Sequence, residues 1–384
     1  LGNWIRFAGT KANGGIYGVV MFGQILCGLA QPFVLAAPTR YSDLWFTESG
    51  RVSATALASL ANPFGGAVRS LQPPPQASNT NQTFQQLAQL INPALGSTPD
   101  MVLYVSIIAT LASIPSFFIP AAPPTPPCAS ASTPKEPLRK SLSHIFRSRP
   151  FYVVALAFAV YTAAFNAFSS LLNQILYPYG YSEDEAGICG AVLIIVGLVA
   201  GAISSPVFDR THGYLTGIKV LCVCAGASYL GMIWAPQTRG LVAPYVLAAL
   251  LGASSFSLLP VALEYLVEIT YPASPEVSST IIWSGGQFLG AIFIVIMTAL
   301  KDGRHVDLEQ VRKAGRGQEG GAKPPGNMSR ALIFQAVMAL AVLPFVMGLG
   351  VKRLGLHHGK GRLIVDKHRN GSRGVGEREG EEGL

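Results

Sequence analysis

The chain has 384 residues, half of them hydrophobic and only 12% charged, where soluble proteins carry about 25% charge. With a mean hydropathy of +0.39, that deficit excludes an ordinary soluble domain and leaves a surface that mostly faces lipid. The net charge of +8 lies between apolar stretches and in a basic tail from Lys352 to Arg378, which is membrane-flanking charge rather than a nucleic-acid patch.

A spanning helix needs about 20 mostly apolar residues. Leu1–Ala8 reads as the end of a helix with no signal-peptide pattern before it, and a chain lacking its first segments is the simplest account. Spans follow at Ile16–Ala37, Val52–Leu71 and Met101–Pro120. The second is rich in Ala, Ser and Gly, which suits an interior helix in close contact with its neighbours. The connection Gln72–Asp100 has no Lys or Arg and holds the acceptor triplet Asn81-Gln82-Thr83. It is expected on the exoplasmic side, with Asn81 open to glycosylation.

Ala121–Arg149 is a Pro/Ala/Ser-rich linker ending in Lys135, Arg139, Lys140, Arg147 and Arg149, and the positive-inside rule places it in the cytoplasm. Six spans come after it: Phe151–Leu176, Gly187–Val207, Gly217–Pro236, Leu241–Val267, Ser278–Leu300 and Ala331–Val351. Glu183-Asp184-Glu185 reads as an acidic outer loop, and Gly197-x-x-x-Gly201 suggests a close helix crossing. Lys301–Asn327 carries six basic residues, yet strict alternation of the spans puts it outside, and alternation is preferred here. The expected organisation is therefore residues 1–120 as the remainder of an N-terminal helical half, 121–149 as a cytoplasmic linker, 150–354 as a six-helix half, and 355–384 as a disordered cytoplasmic tail. Three spans before a long linker and six after it fit the major facilitator plan of two six-helix halves, with helices 1 and 2 absent and the early spans standing as helices 4, 5 and 6.

Three amides fall near the middle of their spans: Asn62, Asn166 and Gln287. Gln24 and Gln31 are seven apart in the first span and share a face. Such amides either hydrogen-bond helices together or line a wet cavity, and three at one depth favour the cavity. Phe208-Asp209-Arg210-Thr211-His212-Gly213, with Lys219 after it, resembles the charged loop that major facilitators carry between helices 8 and 9. Glu264 and Glu268 are one turn apart near the end of their span. They read as gate residues bridging to Arg210 or Arg40, with proton coupling as the other reading.

The remaining chemistry is negative. All six histidines lie in connections or the tail, no His-Glu-x-x-His site or Walker-type loop occurs, and the five cysteines show neither disulfide nor zinc spacing. No enzyme, metal or cofactor is expected.

Gly23-Gln24-Ile25-Leu26-Cys27-Gly28-Leu29-Ala30-Gln31-Pro32-Phe33, Ala37-Pro38-Thr39-Arg40, Trp45-Phe46, Leu171-Leu172-Asn173-Gln174, Glu264 through Glu268-Ile269-Thr270-Tyr271-Pro272, Ser278-Ser279 and Gln287 resemble the feline leukaemia virus subgroup C receptor-related transporters. The likeness implies an all-α major facilitator fold and transport of a small organic solute such as choline or ethanolamine, haem export and a vitamin-like substrate having also been linked to the family. It places Gln287 at the glutamine that surrounds substrate on helix 11. Asn166 stands where helix 7 carries an aromatic residue and Pro63 where helix 5 carries a glutamine. Trp283, one turn before Gln287, either offers a replacement aromatic face to a cation or packs against lipid and neighbouring helices. The expectation is a monomeric, multi-pass carrier in the lipid bilayer, the plasma membrane being preferred to an organelle. The alternative is a non-transporting receptor or an inactive transporter fragment.

Overall fold

The computed structural model describes residues 1–12, 15–47, 50–70, 98–120, 123–125, 127, 136–303, 324–351 and 356. Asn81, residues 304–323 of the basic loop and the tail beyond 356 lie outside the described residues. Among those described, every regular element is helical: α1 (Gly2–Lys11), α2 (Tyr17–Trp45), α3 (Arg51–Ser70), α4 (Thr98–Ser113), α5 (Leu138–Arg147), α6 (Arg149–Leu176), α7 (Glu183–Thr211), α8 (Tyr214–Met232), α9 (Val242–Thr270), α10 (Pro275–Ala299) and α11 (Ser329–Gly348). Seven of them, α2 and α6 to α11, are long and apolar enough to cross a membrane. This is a multi-pass helical membrane protein.

The other two expected spans differ from expectation. α3 is a helix of 20 residues but is not among the seven apolar ones, in keeping with its small, polar composition. The span at Met101–Pro120 is a helix of 16 residues followed by a 3-10 turn, Ile114–Phe118. Pro115 causes the change, since it donates no hydrogen bond and its ring disfavours helical geometry in the residue before it.

Other boundaries move for local reasons. Glu183-Asp184-Glu185 is not a loop but the first turn of α7. Ser182 caps that turn, its Oγ accepting from Glu185 N at 3.2 Å while Glu185 Oε2 accepts from Ser182 N at 2.9 Å. Three acids there also suit the positive end of the helix dipole. Gly180, at φ 86, supplies the left-handed turn between α6 and α7. α2 runs on to Trp45 through the polar stretch 39–43, where Thr39 Oγ1 returns to Ala36 O at 2.7 Å and Ser42 Oγ to Thr39 O at 3.1 Å.

Two compact units divide the described chain. In the first (Leu1–Leu35 with Gln72–Thr125), α1 packs on α4, and Trp4 Nε1 donates to Thr110 Oγ1 at 2.9 Å. α1 also lies close on α2, where a Cβ on Gly23 would come 2.7 Å from Gly2 O. The second unit holds Ala36–Leu71 and Pro126–Leu384, so the end of α2 and all of α3 group with the six-helix part and not with the helices preceding the linker.

Within the second unit small residues set the helix spacing. α7 and α9 share its longest seam. There a Cβ on Gly197 would meet the Phe256 ring and one on Gly252 would meet the Leu193 carbonyl oxygen. Gly201, one turn on, would meet Leu60 Cδ1 of α3 at 2.9 Å. The Gly197-x-x-x-Gly201 pair is therefore a close crossing, and Ala56, Leu60 and Phe256 are buried around it. In a bilayer this proximity counts for more than burial itself, because lipid tails are as apolar as leucine and association rests on close packing. The opposite faces carry exposed apolar residues, among them Val199, Ile203 and Val207 on α7 and Phe288, Ile292 and Val295 on α10, which lipid would cover.

Two glycines test this account. Gly252→Ala places a methyl group on the Leu193 carbonyl, and overpacking of this kind costs about 1–3 kcal/mol. Gly285→Ala meets open space. Thermal unfolding in detergent should show a lowered midpoint for the first variant and little change for the second. Equal behaviour would mean that the seam is not set by the missing side chain.

Candidate functional site

Two polar clusters lie on the second unit, one near the middle of its spans and one at their end. The first is in the seam between α6 and α10. Gly286 lies against Thr162 and Gly290 against Ala163 and Asn166, so the two backbones approach closely. At that level Asn166 Nδ2 donates to Gln287 Oε1 at 3.1 Å. Both amides are only partly buried. The bond leaves Asn166 Oδ1 and Gln287 Nε2 able to accept from and donate to a further partner.

Trp283 is 7% exposed and so packs within the protein rather than against lipid. Its ring stands edge-on to Phe158, with centroids 5.0 Å apart at 84°. The indole Nε1 is buried with no acceptor among the described residues. Two expected site residues thus come together, with Trp283 one turn away on the same helix. Asn62 is exposed on α3, and Gln24 and Gln31 are exposed on the part of α2 that belongs to the first unit.

Sequence reasoning passed over a further amide. Gln335 of α11 is buried, and its Nε2 donates to Ala164 O at 2.6 Å. The Tyr161 hydroxyl lies 2.9 Å from Cys222 O and 3.1 Å from Ala339 O. These bonds hold α8 and α11 to α6. Gln335 is the single polar side chain in the apolar run 331–351, a signal that by itself does not separate helix glue from a site, and Tyr161 is one of several polar residues in its span.

The second cluster lies where α2, α7 and α9 end and α3 and α10 begin. Asp209, the third-last residue of α7, is buried. Its carboxylate accepts from Val52 N and Ser53 N, each at 2.9 Å, and from Ser53 Oγ. It therefore caps the N-terminus of α3 from a different helix, satisfying two of the amides that a helix start leaves open and sitting at the positive end of its dipole. Arg210, next in sequence, is exposed and enters no described ion pair. The bridge expected between Arg210 and the α9 glutamates is thus replaced by a contact of its neighbour with backbone.

The same end holds three further links. Thr39 Oγ1 is 2.9 Å from Ser279 Oγ, Thr55 Oγ1 donates to Ser42 Oγ at 2.8 Å, and Arg40 faces Glu276 at 3.6 Å. The last pair is partly exposed and adds at most about 1 kcal/mol; the buried hydroxyl pairs fix the geometry. Glu264 and Glu268 are buried on the last turns of α9, Asp43 is buried near the end of α2 and Arg51 at the start of α3, and each has a polar or ionic partner. Asp43 and Arg51 were missed because they flank apolar spans, where charge usually lies in water.

Asp209→Ala should loosen this end, since loss of an N-cap costs about 0.5–2 kcal/mol. Spin labels at the exposed positions Phe46 and Thr216 would report it. The distance distribution should broaden in Asp209→Ala and change less in Ser53→Ala, which keeps both backbone bonds. An unchanged distribution in both would show that the cap does not hold α3 to α7.

Comparison with known proteins agrees with this architecture. Residues 2–295 match the Major Facilitator Superfamily. Solute carrier family 49 member A3 of Danio rerio is 33% identical over 294 residues, 76% of this chain and 59% of that protein. The choline/ethanolamine transporter FLVCR1 of Felis catus is 29% identical over 297 residues, 76% of this chain and 52% of that protein. The chain thus spans between half and three-fifths of the length of these relatives. The Escherichia coli fucose:proton symporter has a similar fold, with a TM-score of 0.55 at 16% identity over 90% of this chain and 80% of its own. A bacterial homologue of the human lysosomal transporter Spinster gives 0.53 at 15% identity, over 90% and 80%.

Proposed function

Because this chain belongs to the major facilitator superfamily, we propose that it is a transporter binding a small organic solute beside Asn166 and Gln287 and exposing it alternately to the two sides of the membrane. The amide pair carries this reading. Two polar side chains from different membrane helices meet in a glycine-lined seam, are left partly open, and keep one acceptor and one donor for another molecule. Amides serving only as glue would gain more by full burial and complete pairing, since an unmet polar group in an apolar setting is costly.

The end holding Asp209 and the Arg40–Glu276 pair acts as the gate, and the basic run before α6 places it in the cytoplasm. In this reading the links across it correspond to a closed inner side. The plasma membrane is the site in this reading.

Relatives named choline/ethanolamine transporters make a small amino alcohol the first substrate class to test. The seam here offers hydrogen bonds rather than an open aromatic face, because Trp283 is taken up edge-on by Phe158. Recognition of a hydroxyl should therefore outweigh recognition of a quaternary cation.

Uptake into proteoliposomes tests this with full-length protein. Gln287→Ala and Asn166→Ala should each weaken apparent affinity roughly 2- to 12-fold, the cost of one hydrogen bond of about 0.5–1.5 kcal/mol, at near-normal membrane abundance. Asn166→Tyr should move competition toward quaternary ammonium solutes. Unchanged uptake and selectivity in all three, or loss through aggregation alone, would show that the amides only join helices.

A further inference from the structure

The segment read as a linker contains a helix, α5, whose outward face has no role in the transport reading. α5 is already docked by its inner face. Ile145 is fully buried, Ser141 is buried, and Ser141 Oγ accepts from Ser274 N at 3.4 Å in the turn between α9 and α10. The outward face carries Arg139, Lys140, Ser143, Phe146 and Arg147, all exposed, with Arg149 just beyond. No Asp or Glu occurs between Leu138 and Tyr152. Of the acids on adjoining segments, Glu136 lies 4.0 Å from His144 and Glu276 faces Arg40, so neither neutralises these cations.

Aromatic side chains set the depth of this face. Tyr152, in the first turn of the membrane-crossing α6, is 53% exposed and donates its hydroxyl to Phe146 O at 2.8 Å. Phe146 is 48% exposed and lies against Phe151 and Tyr152. Exposed aromatic rings with a polar handle at the start of a spanning helix sit at headgroup level. Basic side chains beside them are then within reach of lipid phosphates.

We propose that α5 is a docking face for anionic phospholipid headgroups, phosphatidylserine-like in charge, on the leaflet that faces the linker. The charge complementarity and the aromatic depth marker both favour lipid. A calmodulin-type partner would need to wrap the apolar face that Ser141 and Ile145 already bury against the protein. Through Ser274, lipid held on α5 would also brace the turn from which Glu276 and Ser279 project. The proposal rests on the membrane reading of the chain and not on the transport reading.

Native mass spectrometry of the intact detergent-solubilised chain, titrated with phosphatidylserine or phosphatidylcholine, tests it without any transport assay. Wild type should prefer phosphatidylserine. The combined variant Arg139→Gln, Lys140→Gln, Arg147→Gln should lose that preference, at about fivefold for each charge removed, with phosphatidylcholine binding and thermal midpoint unchanged because all three side chains are exposed. Phe146→Ser should weaken phosphatidylserine binding while keeping its selectivity. Equal wild-type affinity for both lipids, retention of the preference in the triple variant, competition by inorganic phosphate as strong as that by lipid, or capture of α5 by calcium-calmodulin would each overturn the assignment.

Discussion

The bond between Asp209 and the first turn of α3 is the contact on which one end of the second unit, where α7 and α9 stop, depends. A carboxylate removed from water is costly unless its oxygens are met by strong donors. Here two backbone amides and a hydroxyl meet it, all from the start of one helix, and the helix dipole adds to them. The arrangement works in both directions, since α3 would otherwise begin with open amides in a buried place. α3 is also the least apolar of the long helices, so lipid alone has little hold on it. Its grouping with the six-helix part follows from this cap together with the contact of Leu60 on Gly201 and Phe256.

Packing and polarity divide the work along the helices. In the middle of the seams, glycines bring backbones together and van der Waals contact holds them, as at Gly197, Gly252 and Gly290. At the end where α3 and α10 begin, hydroxyls and charges take over, as in Thr39–Ser279, Thr55–Ser42 and Arg40–Glu276. A glycine seam cannot separate without losing contact along its whole length. The partly exposed Arg40–Glu276 pair is individually weak and can exchange for water at modest cost, and the buried hydroxyl pairs can do so only once water reaches them. In the proposed transport cycle, motion would therefore concentrate at the ends.

Much of the fold was legible because lipid imposes a simple rule on sequence: about 20 apolar residues for each crossing. All nine expected spans are helical, and the glycine crossing at Gly197 and Gly201 followed from the small-residue pattern. The misreadings share one cause. Thr39 to Asp43, Glu183 to Glu185 and Leu138 to Arg147 are polar or mixed segments that hydropathy assigns to loops, yet each is helical because caps, back-bonded hydroxyls or a docked face stabilise it. Of the candidate site, Asn166 and Gln287 were visible as amides in apolar runs. Their mutual bond was not, because it depends on the register of α6 against α10, which Gly286 and Gly290 set. Arg51 and Asp43 were hidden for the opposite reason, since a charge beside an apolar span is read as solvated.

One helix links the two clusters. α10 carries Glu276 and Ser279 near its start and Trp283 and Gln287 in the mid-span seam, so Ser279 and Gln287 are about 12 Å apart at 1.5 Å per residue. α10 is one continuous helix from Pro275 to Ala299 with no proline after its first residue, and Ser284-Gly285-Gly286 between the two clusters is the one place where such a helix readily bends. α10 therefore joins the two clusters either as a rod or through a bend at that run. If the Thr39–Ser279 and Arg40–Glu276 contacts part, any tilt of α10 must be taken up at its glycine contacts with Thr162 and Asn166, and it shifts the Gln287 amide against its partner. A solute held by the free acceptor of Asn166 and the free donor of Gln287 would resist or favour that shift according to the geometry it needs. Under the proposed transport function, coupling between binding and gating would then require no path beyond one continuous helix and two sets of contacts along it, each with a closed and an open arrangement.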